Sequence, residues 1–489
     1  MHNIIPTLIH ETDRPALIDL AAGWELSGAD LRAAVDRLAG QLAAAGAGPG
    51  DGVAIAMPNS GETVLVFLAV ARAGAIAMPV NPQLHEHEIA AGFEDRPPVA
   101  IVVGAGGHAA AEAVSRSIGV PLYVMGGGPR AALAGAPEGA PAPPEPDPDA
   151  IALLLHTSGT TSRPKAVPLR QRNIAASART IAATYGLGPG DRSYCLMPLF
   201  HIHGLVASTL AALTGGGCVV VPPRPNPGAV WRDARAHGIS WFSAVPTILG
   251  RLPAAPDGDP GTLRFVRSCS SALAPSLWES LEERFGVPVV EAYGMTEASH
   301  QMTTNPLPPA ARRAGTVGVS AGAEVAILDA EWSPLPPGEA GEVAVRGPGV
   351  VDGYLNNPQA NAASFRDGWF RTGDLGRLSA DGYLTIEGRL KELINRGGEK
   401  IAPREIDEAL LAHPGVREAV AFGVPDAKWG EVVHAAVVAT GVSDGDLRAF
   451  CAERLAVFKV PRRIHVVEEI PKGPTGKIQR NTLAGAFGP

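Results

Sequence analysis

Five apolar residues at 151–155 (IALLL) run without a break into the segment HTSGTTSRPKAV. The apolar run reads as a buried strand. Behind it, Thr157, Ser158, Thr160, Thr161 and Ser162 surround Gly159, and the segment ends in Arg163-Pro164-Lys165. A strand that turns through small hydroxyl residues to a lysine is a phosphate-binding design. Glycine admits close backbone approach, N–H groups and hydroxyls donate to oxyanions, and lysine neutralises charge. The Walker pattern G-x-x-x-x-G-K-[ST] is absent. Taken alone, the segment reads equally as an ordinary Ser/Thr/Gly surface loop, so the rest of the chain has to separate the two.

The 489 residues exceed what one core holds, and such a length corresponds to about three folding units. Lys and Arg number 41 against 49 Asp and Glu, a net charge of −8. No Lys/Arg block stands out, which argues against a nucleic-acid partner. Cys195, Cys218, Cys269 and Cys451 form no CxxC or other metal spacing, so they read as reduced thiols of a cytoplasmic protein. The first residues, MHNIIPTLIHETDRP, lack a basic region and a long apolar run, and GAFGP at the other end carries no targeting tripeptide. No membrane span is expected.

Strand and helix patterns alternate over residues 1–100. Ser27 suits an N-cap, and Leu31, Val35, Leu38 and Leu42 follow at helical spacing. Residues 53–57 read as a strand, and 62–73 as an apolar helix packed between layers. Such alternation implies βα units and a mostly parallel sheet. Residues 135–149 (GAPEGAPAPPEPDPD) hold too many prolines for a helix or central strand, and read as a connection between two subdomains of one lobe. Alternation resumes to about residue 300. There SCSSALAP and AYGMTEASH each follow a strand pattern, the place where open α/β sheets bind ligands. Short strands at 325–328, 341–346 and 382–387 between Gly/Pro/Asp turns indicate an antiparallel β subdomain. The last hundred residues read as a small α+β unit, with a helix opening at Pro403.

Several further segments carry chemistry-bearing residues. Tyr293-Gly294-Met295-Thr296-Glu297 offers an aromatic face, a hydroxyl and a carboxylate, a set able to stack a base, bond a phosphate and hold Mg²⁺. Arg371-Thr372-Gly373-Asp374 sets an acid on a turn. In order, TSGTTSRPKAV, YGMTE, RTGDLG, GRLKELINRGGEKI and PKGPTGKIQR resemble the motifs of the adenylate-forming enzymes, which include acyl-CoA synthetases, peptide-synthetase adenylation domains and luciferases. The resemblance covers nearly the whole chain. It implies an α/β fold with a large N-terminal lobe of βα subdomains plus a β subdomain at 1–388, a hinge at 389–392, and a small mobile α+β lobe at 393–489.

The same resemblance assigns roles. Thr157, Ser158, Gly159, Thr160, Thr161 and Lys165 correspond to the loop that cradles the phosphates of ATP. Tyr293 corresponds to the residue stacked on adenine, with Ser271-Ala272-Leu273 on the other face. Thr296 corresponds to the α-phosphate hydroxyl, Glu297 to the Mg²⁺ carboxylate, Asp374 to the acid that binds the ribose, and Arg389 to an arginine beside the nucleotide. Lys477 matches the lysine required for adenylation, and Lys391 falls at the hinge. Gly397, Gly398 and Lys400 of the RGGEK segment correspond to the path of the CoA thiol. Two departures stand out. Ser162 and Ala166 replace glycines of the usual T-S-G-T-T-G-x-P-K-G, and lysine replaces the commoner aspartate at the hinge.

The acid pocket is the most individual part. LMPLFHIHG places His201 and His203 after a strand, RSCSS supplies Ser268, Ser270 and Ser271, and YGMTEASH adds His300. Polar groups left unpaired against an alkyl chain cost about 1–3 kcal/mol each, whereas a small dicarboxylate needs such donors. Each histidine by itself also reads as a core residue satisfied by backbone carbonyls. The combined segments resemble the oxalate–CoA ligases, in which His201, Ser270 and His300 correspond to the residues that hold oxalate. Malonate or another short-chain acid is the next candidate. An enzyme that loads a separate carrier protein, and a non-catalytic nucleotide-binding regulator, are the competing classes.

Overall fold

The computed structural model describes residues 4–157, 164–223, 228–473, 478 and 480–487. Its architecture is set by two large sheets with helices between and outside them. The seven-stranded sheet runs Ala132–Ala134, Leu122–Gly126, Pro98–Gly104, Gly52–Ala56, Ile76–Pro79, Ile151–Thr157, Lys165–Arg170. Its central pairs are parallel and its outer pairs antiparallel. Strands on both sides of the Pro-rich residues 135–149 belong to this sheet. That segment therefore closes one sheet instead of bridging two subdomains.

The nine-stranded sheet is ordered Val319–Ser320, His300–Thr304, Val289–Met295, Phe265–Cys269, Trp241–Ala244, Arg192–Tyr194, Cys218–Val221, Pro15–Asp19, Trp24–Ser27. From Pro15–Asp19 to Val289–Met295 all neighbours are parallel.

Period-two alternation divides each sheet between two cores. Val53 and Ile55 face the layer between the sheets, where the helices Gly28–Ala44, Gly61–Arg72 and Gln171–Thr184 pack, and Ala54 and Ala56 face outward to Glu86–Gly92 and Ala109–Ile118. In the larger sheet Trp241 and Phe265 face the shared layer. Phe242 and Val266 face the helices Val230–His237 and Pro275–Phe285. Ser27 caps its helix as the sequence indicates, its Oγ accepting the Asp30 N–H at 3.0 Å. Gly61–Arg72 is buried on every side, which its uninterrupted apolar run requires.

A third, antiparallel sheet joins Glu324–Leu328, Gly341–Arg346, Trp369–Leu378, Phe365–Arg366 and Leu384–Arg389. From Arg389 the chain passes through the 3₁₀ turn Leu390–Glu392 into the C-terminal sheet, built from Ile394–Arg396, Glu399–Ile401, Val416–Asp426, Gly430–Ala439 and Arg463–Val466. The helices Pro403–Leu411 and Asp444–Ala452 share one of its cores, and Arg480–Phe487 lies in the other. Arg404 Nη1 donates to the Ile386 carbonyl at 2.6 Å, across this passage. Among the described residues no helix is long and apolar enough to cross a membrane.

Candidate active site

Neighbouring parallel strands of the nine-stranded sheet deliver the polar segments at their carboxyl ends, as topology requires. Arg192–Tyr194 leads to His201 and His203. Phe265–Cys269 leads to Ser270, and Val289–Met295 carries Tyr293 and leads to Thr296 and Glu297. Thr296 and Glu297 are buried in the 3₁₀ turn Thr296–Ala298. The strand His300–Thr304 then doubles back so closely that a Cβ on Gly294 would stand 1.7 Å from the His300 carbonyl oxygen.

One group of side chains gathers around Asp374, which is 3 % exposed. The Tyr293 hydroxyl donates to Asp374 Oδ2, and Arg389 Nε lies 2.8 Å from Oδ1. Asp374 and Arg389 are register partners in adjacent strands. Asp374 is therefore not on a turn, as the TGD sequence suggests. It lies within the strand Trp369–Leu378, in which Gly373 holds φ +75°. Burial, and then the Asp374 charge, raise the Tyr293 phenol well above its usual range. Asp374 in turn raises the Arg389 guanidinium. Lys391 is lowered, first by burial and then by the nearby Arg389 and Lys165 charges. The Arg389 and Lys165 charges thus both reach Lys391.

Tyr354, which no motif singles out, connects the loop lysine to the turn. Its hydroxyl donates to Glu297 Oε1 at 2.9 Å, and Lys165 Nζ sits 4.4 Å from its ring centroid. Among the described residues Glu297 has no Lys or Arg ion-pair partner, although it is 7 % exposed. A buried carboxylate in that position fits a divalent cation.

A second group surrounds Arg267. His203 Nδ1 lies 3.2 Å from Ser270 Oγ, and His203 Nε2 2.6 Å from Ser243 Oγ. The His203 and His300 rings are 4.9 Å apart. His201 Nδ1 accepts the His203 backbone N–H at 3.3 Å. His203 opens a π-helical stretch, His203–Leu210, a local widening frequent at functional sites. Ser270 (φ 73°) and His300 (φ 113°) both hold left-handed backbone, at a cost of about 1–3 kcal/mol each.

Other sequence candidates fall elsewhere. Ser268 neighbours Arg267 on the same strand, so alternation turns it to the opposite face, where its Oγ is buried with no hydrogen-bond partner among the described residues. Ser271 and Ala272 are exposed on the loop after Phe265–Cys269, one strand over from Tyr293. Gly397 and Gly398 form the exposed turn of the hairpin Ile394–Arg396/Glu399–Ile401 in the C-terminal unit. Gly397 N–H bonds the Trp429 carbonyl at 2.7 Å, and Lys400 faces Asn395. Thr157 and Lys165 flank the loop, but Ser158, Gly159, Thr160, Thr161 and Lys477 lie outside the described residues.

The AMP-binding enzyme family matches residues 9–355, and the AMP-binding enzyme C-terminal domain matches 405–477. The chain belongs to the AMP-binding enzymes. It is 43 % identical to an oxalate–CoA ligase of Arabidopsis thaliana, over 97 % of this chain and 96 % of that protein. It is 40 % identical to a sulfoacetate–CoA ligase of Cupriavidus necator, over 96 % and 94 %. ATP-bound MatB from Rhodopseudomonas palustris overlays with a TM-score of 0.91 at 31 % identity, covering 100 % of this chain and 99 % of that one. This AMP-binding enzyme is an AMP-forming acid–CoA ligase that uses ATP and CoA, and its fold is that of the adenylate-forming enzymes.

Proposed function

We propose that this ligase converts oxalate, ATP and CoA to oxalyl-CoA, AMP and pyrophosphate. The observation that carries the reading is the concentration of polar donors around Arg267, with His203 and His300 almost fully buried, Ser270 beside them and His201 bonded to the His203 backbone; His201, Ser270 and His300 are the residues assigned to the acid, and His203 joins them. Such a lining suits a second carboxylate and penalises an alkyl chain. The identity to the oxalate–CoA ligase of Arabidopsis thaliana supports the same acid. Sulfoacetate is the second candidate, favoured by the Cupriavidus relative; it too carries a second anionic group.

In the first step a carboxylate oxygen of the acid attacks the α-phosphorus of ATP, and pyrophosphate leaves. Tyr293 and the 271–273 loop hold adenine, Asp374 accepts from the ribose hydroxyls, and Thr296 bonds the α-phosphate. Thr157, Ser158, Gly159, Thr160, Thr161 and Lys165 hold the β- and γ-phosphates, and Lys477 neutralises the charge that develops in the transition state. Glu297 would hold Mg²⁺, which neutralises phosphate charge. In the second step the CoA thiolate attacks the acyl carbon of the mixed anhydride and AMP leaves. Rotation of residues 393–489 about 389–392, with Lys391 at the pivot, withdraws Lys477 and brings Gly397, Gly398 and Lys400 to the thiol path.

The test is pyrophosphate release with ATP, Mg²⁺ and CoA across oxalate, sulfoacetate, malonate, succinate, acetate, octanoate and benzoate. Turnover is expected with oxalate in preference to the others. Preference for octanoate or benzoate defeats the polar-pocket reading.

A further inference from the structure

Arg267 is fully buried, with 0 % exposure, on a strand that is otherwise apolar but for Ser268. Strand register sets it beside Ser243, on the face turned to the layer between the sheets. Its Nε donates to the Tyr185 hydroxyl at 3.0 Å, Nη1 to Ser243 Oγ at 3.0 Å, and Nη2 to Gln301 Oε1 at 3.2 Å. Nη2 also lies 3.4 Å from His300 Nδ1. None of these four partners is a carboxylate. Among the described residues Arg267 has no ion-pair partner, so a whole positive charge is held beneath the acid pocket against neutral groups alone.

We propose that Arg267 is the positioning residue of the acid pocket, fixing where His300, His203 and Ser270 carry their protons and supplying the charge that selects an acid with a second anionic group. This rests on the dianion reading above. A guanidinium only donates, so His300 Nδ1 accepts and the neutral ring carries its proton on Nε2. On the other arm Ser243 receives the Arg267 N–H and gives its own proton to His203 Nε2. His203 then keeps its proton on Nδ1 and donates to Ser270, which leaves the Ser270 hydroxyl proton for the acid. Both arms thus end as donors. Neither needs an imidazolium, because the charge is already present in Arg267.

The test begins with the wild-type enzyme. If no acid with a second anionic group is turned over, the substrate reading falls. If one is, Arg267→Met is expected to raise the KM for that acid about 10–100-fold while the KM for ATP stays unchanged. The preference over acetate is expected to collapse by a similar factor. Arg267→Lys, which restores charge but not the planar fork, should recover part of the loss. An unchanged acid KM in Arg267→Met overturns the proposal. So does a parallel rise in acid and ATP KM, which marks a merely structural role. Should Arg267→Met not fold, the wild-type enzyme decides: ¹⁵N-histidine spectra, assigned with His300→Gln, should show His300 neutral with its proton on Nε2. A proton on Nδ1 overturns the proposal.

Discussion

The Tyr354 hydroxyl donates to Glu297 Oε1 at 2.9 Å while Lys165 Nζ lies over the Tyr354 ring, 4.4 Å from its centroid. One tyrosine therefore touches both a carboxylate and Lys165. The turn bearing Glu297 is tied to the same part of the chain by Val351 N–H to the Glu297 carbonyl at 2.8 Å and Ser299 Oγ to the Gly349 carbonyl at 2.7 Å. Tyr354→Phe keeps the ring under Lys165 but removes the donor to Glu297. A hydrogen bond to a charged group is worth about 1.5–3 kcal/mol. The expected result is a rise of about tenfold or more in the Mg²⁺ concentration for half-maximal pyrophosphate release, with little change in acid KM. A Mg²⁺ titration identical to wild type would show that Tyr354 does not position Glu297.

Asp374 satisfies Tyr293 and Arg389 at once, one through each carboxylate oxygen. Asp374→Asn keeps the shape, loses the charge and turns an N–H toward one of two donors. Arg389 is 43 % exposed, so solvent screens part of the loss and the cost is about 1–2 kcal/mol. The expected outcome is ATP binding weakened by about tenfold, with acid binding preserved, measured by calorimetry with a non-hydrolysable ATP analogue. Equal losses for both ligands would point to a displaced strand instead.

Local pattern made much of this fold legible. The apolar spacing from Leu31 to Leu42 marks its helix, and the strand Gly341–Arg346 lies where turn residues bound it. The strand Trp369–Leu378 was not legible, because Arg371-Thr372-Gly373-Asp374 reads as a turn; its pairing with both neighbours carries register shifts. In the site, Tyr293, Asp374 and Arg389 each carry a motif, and the fold brings them into contact. Arg267, Ser243, Tyr185 and Gln301 carry none. They meet only through strand register, which a single sequence does not state. The one signal was a lone arginine inside the apolar strand FVRSC, since a charge at such a position is rarely left unpartnered.

Lys477 belongs to the segment PKGPTGKIQR, and its assigned task is confined to the adenylation transition state. A donor used only there contributes to kcat and little to ground-state binding. Lys477→Ala is expected to slow pyrophosphate release by about 10²–10³-fold while ATP affinity by calorimetry stays as in wild type. Retained adenylation would remove Lys477 from the mechanism.

Glu291 is fully buried one strand from the exposed 271–272 loop. Its Oε1 accepts the Leu273 N–H at 2.9 Å, and Oε2 has no hydrogen-bond partner among the described residues. Burial, only partly offset by the Arg404 charge, pushes its carboxyl up from 4.5 to about 7. Between those values the native state holds a proton that the unfolded chain has released. Stability therefore falls as pH rises from about 4.5 to about 7 and is level above, with a total near 3 kcal/mol at about 1.4 kcal/mol per pH unit. Glu291→Gln retains the acceptor for Leu273 but cannot ionise. The two proteins should unfold alike in denaturant near pH 4.5, and the glutamine variant should become the more stable by about 3 kcal/mol at pH 8. Unfolding curves that stay parallel across this range would mean that Glu291 is ionised in the native state at neutral pH, the Arg404 charge outweighing the effect of burial.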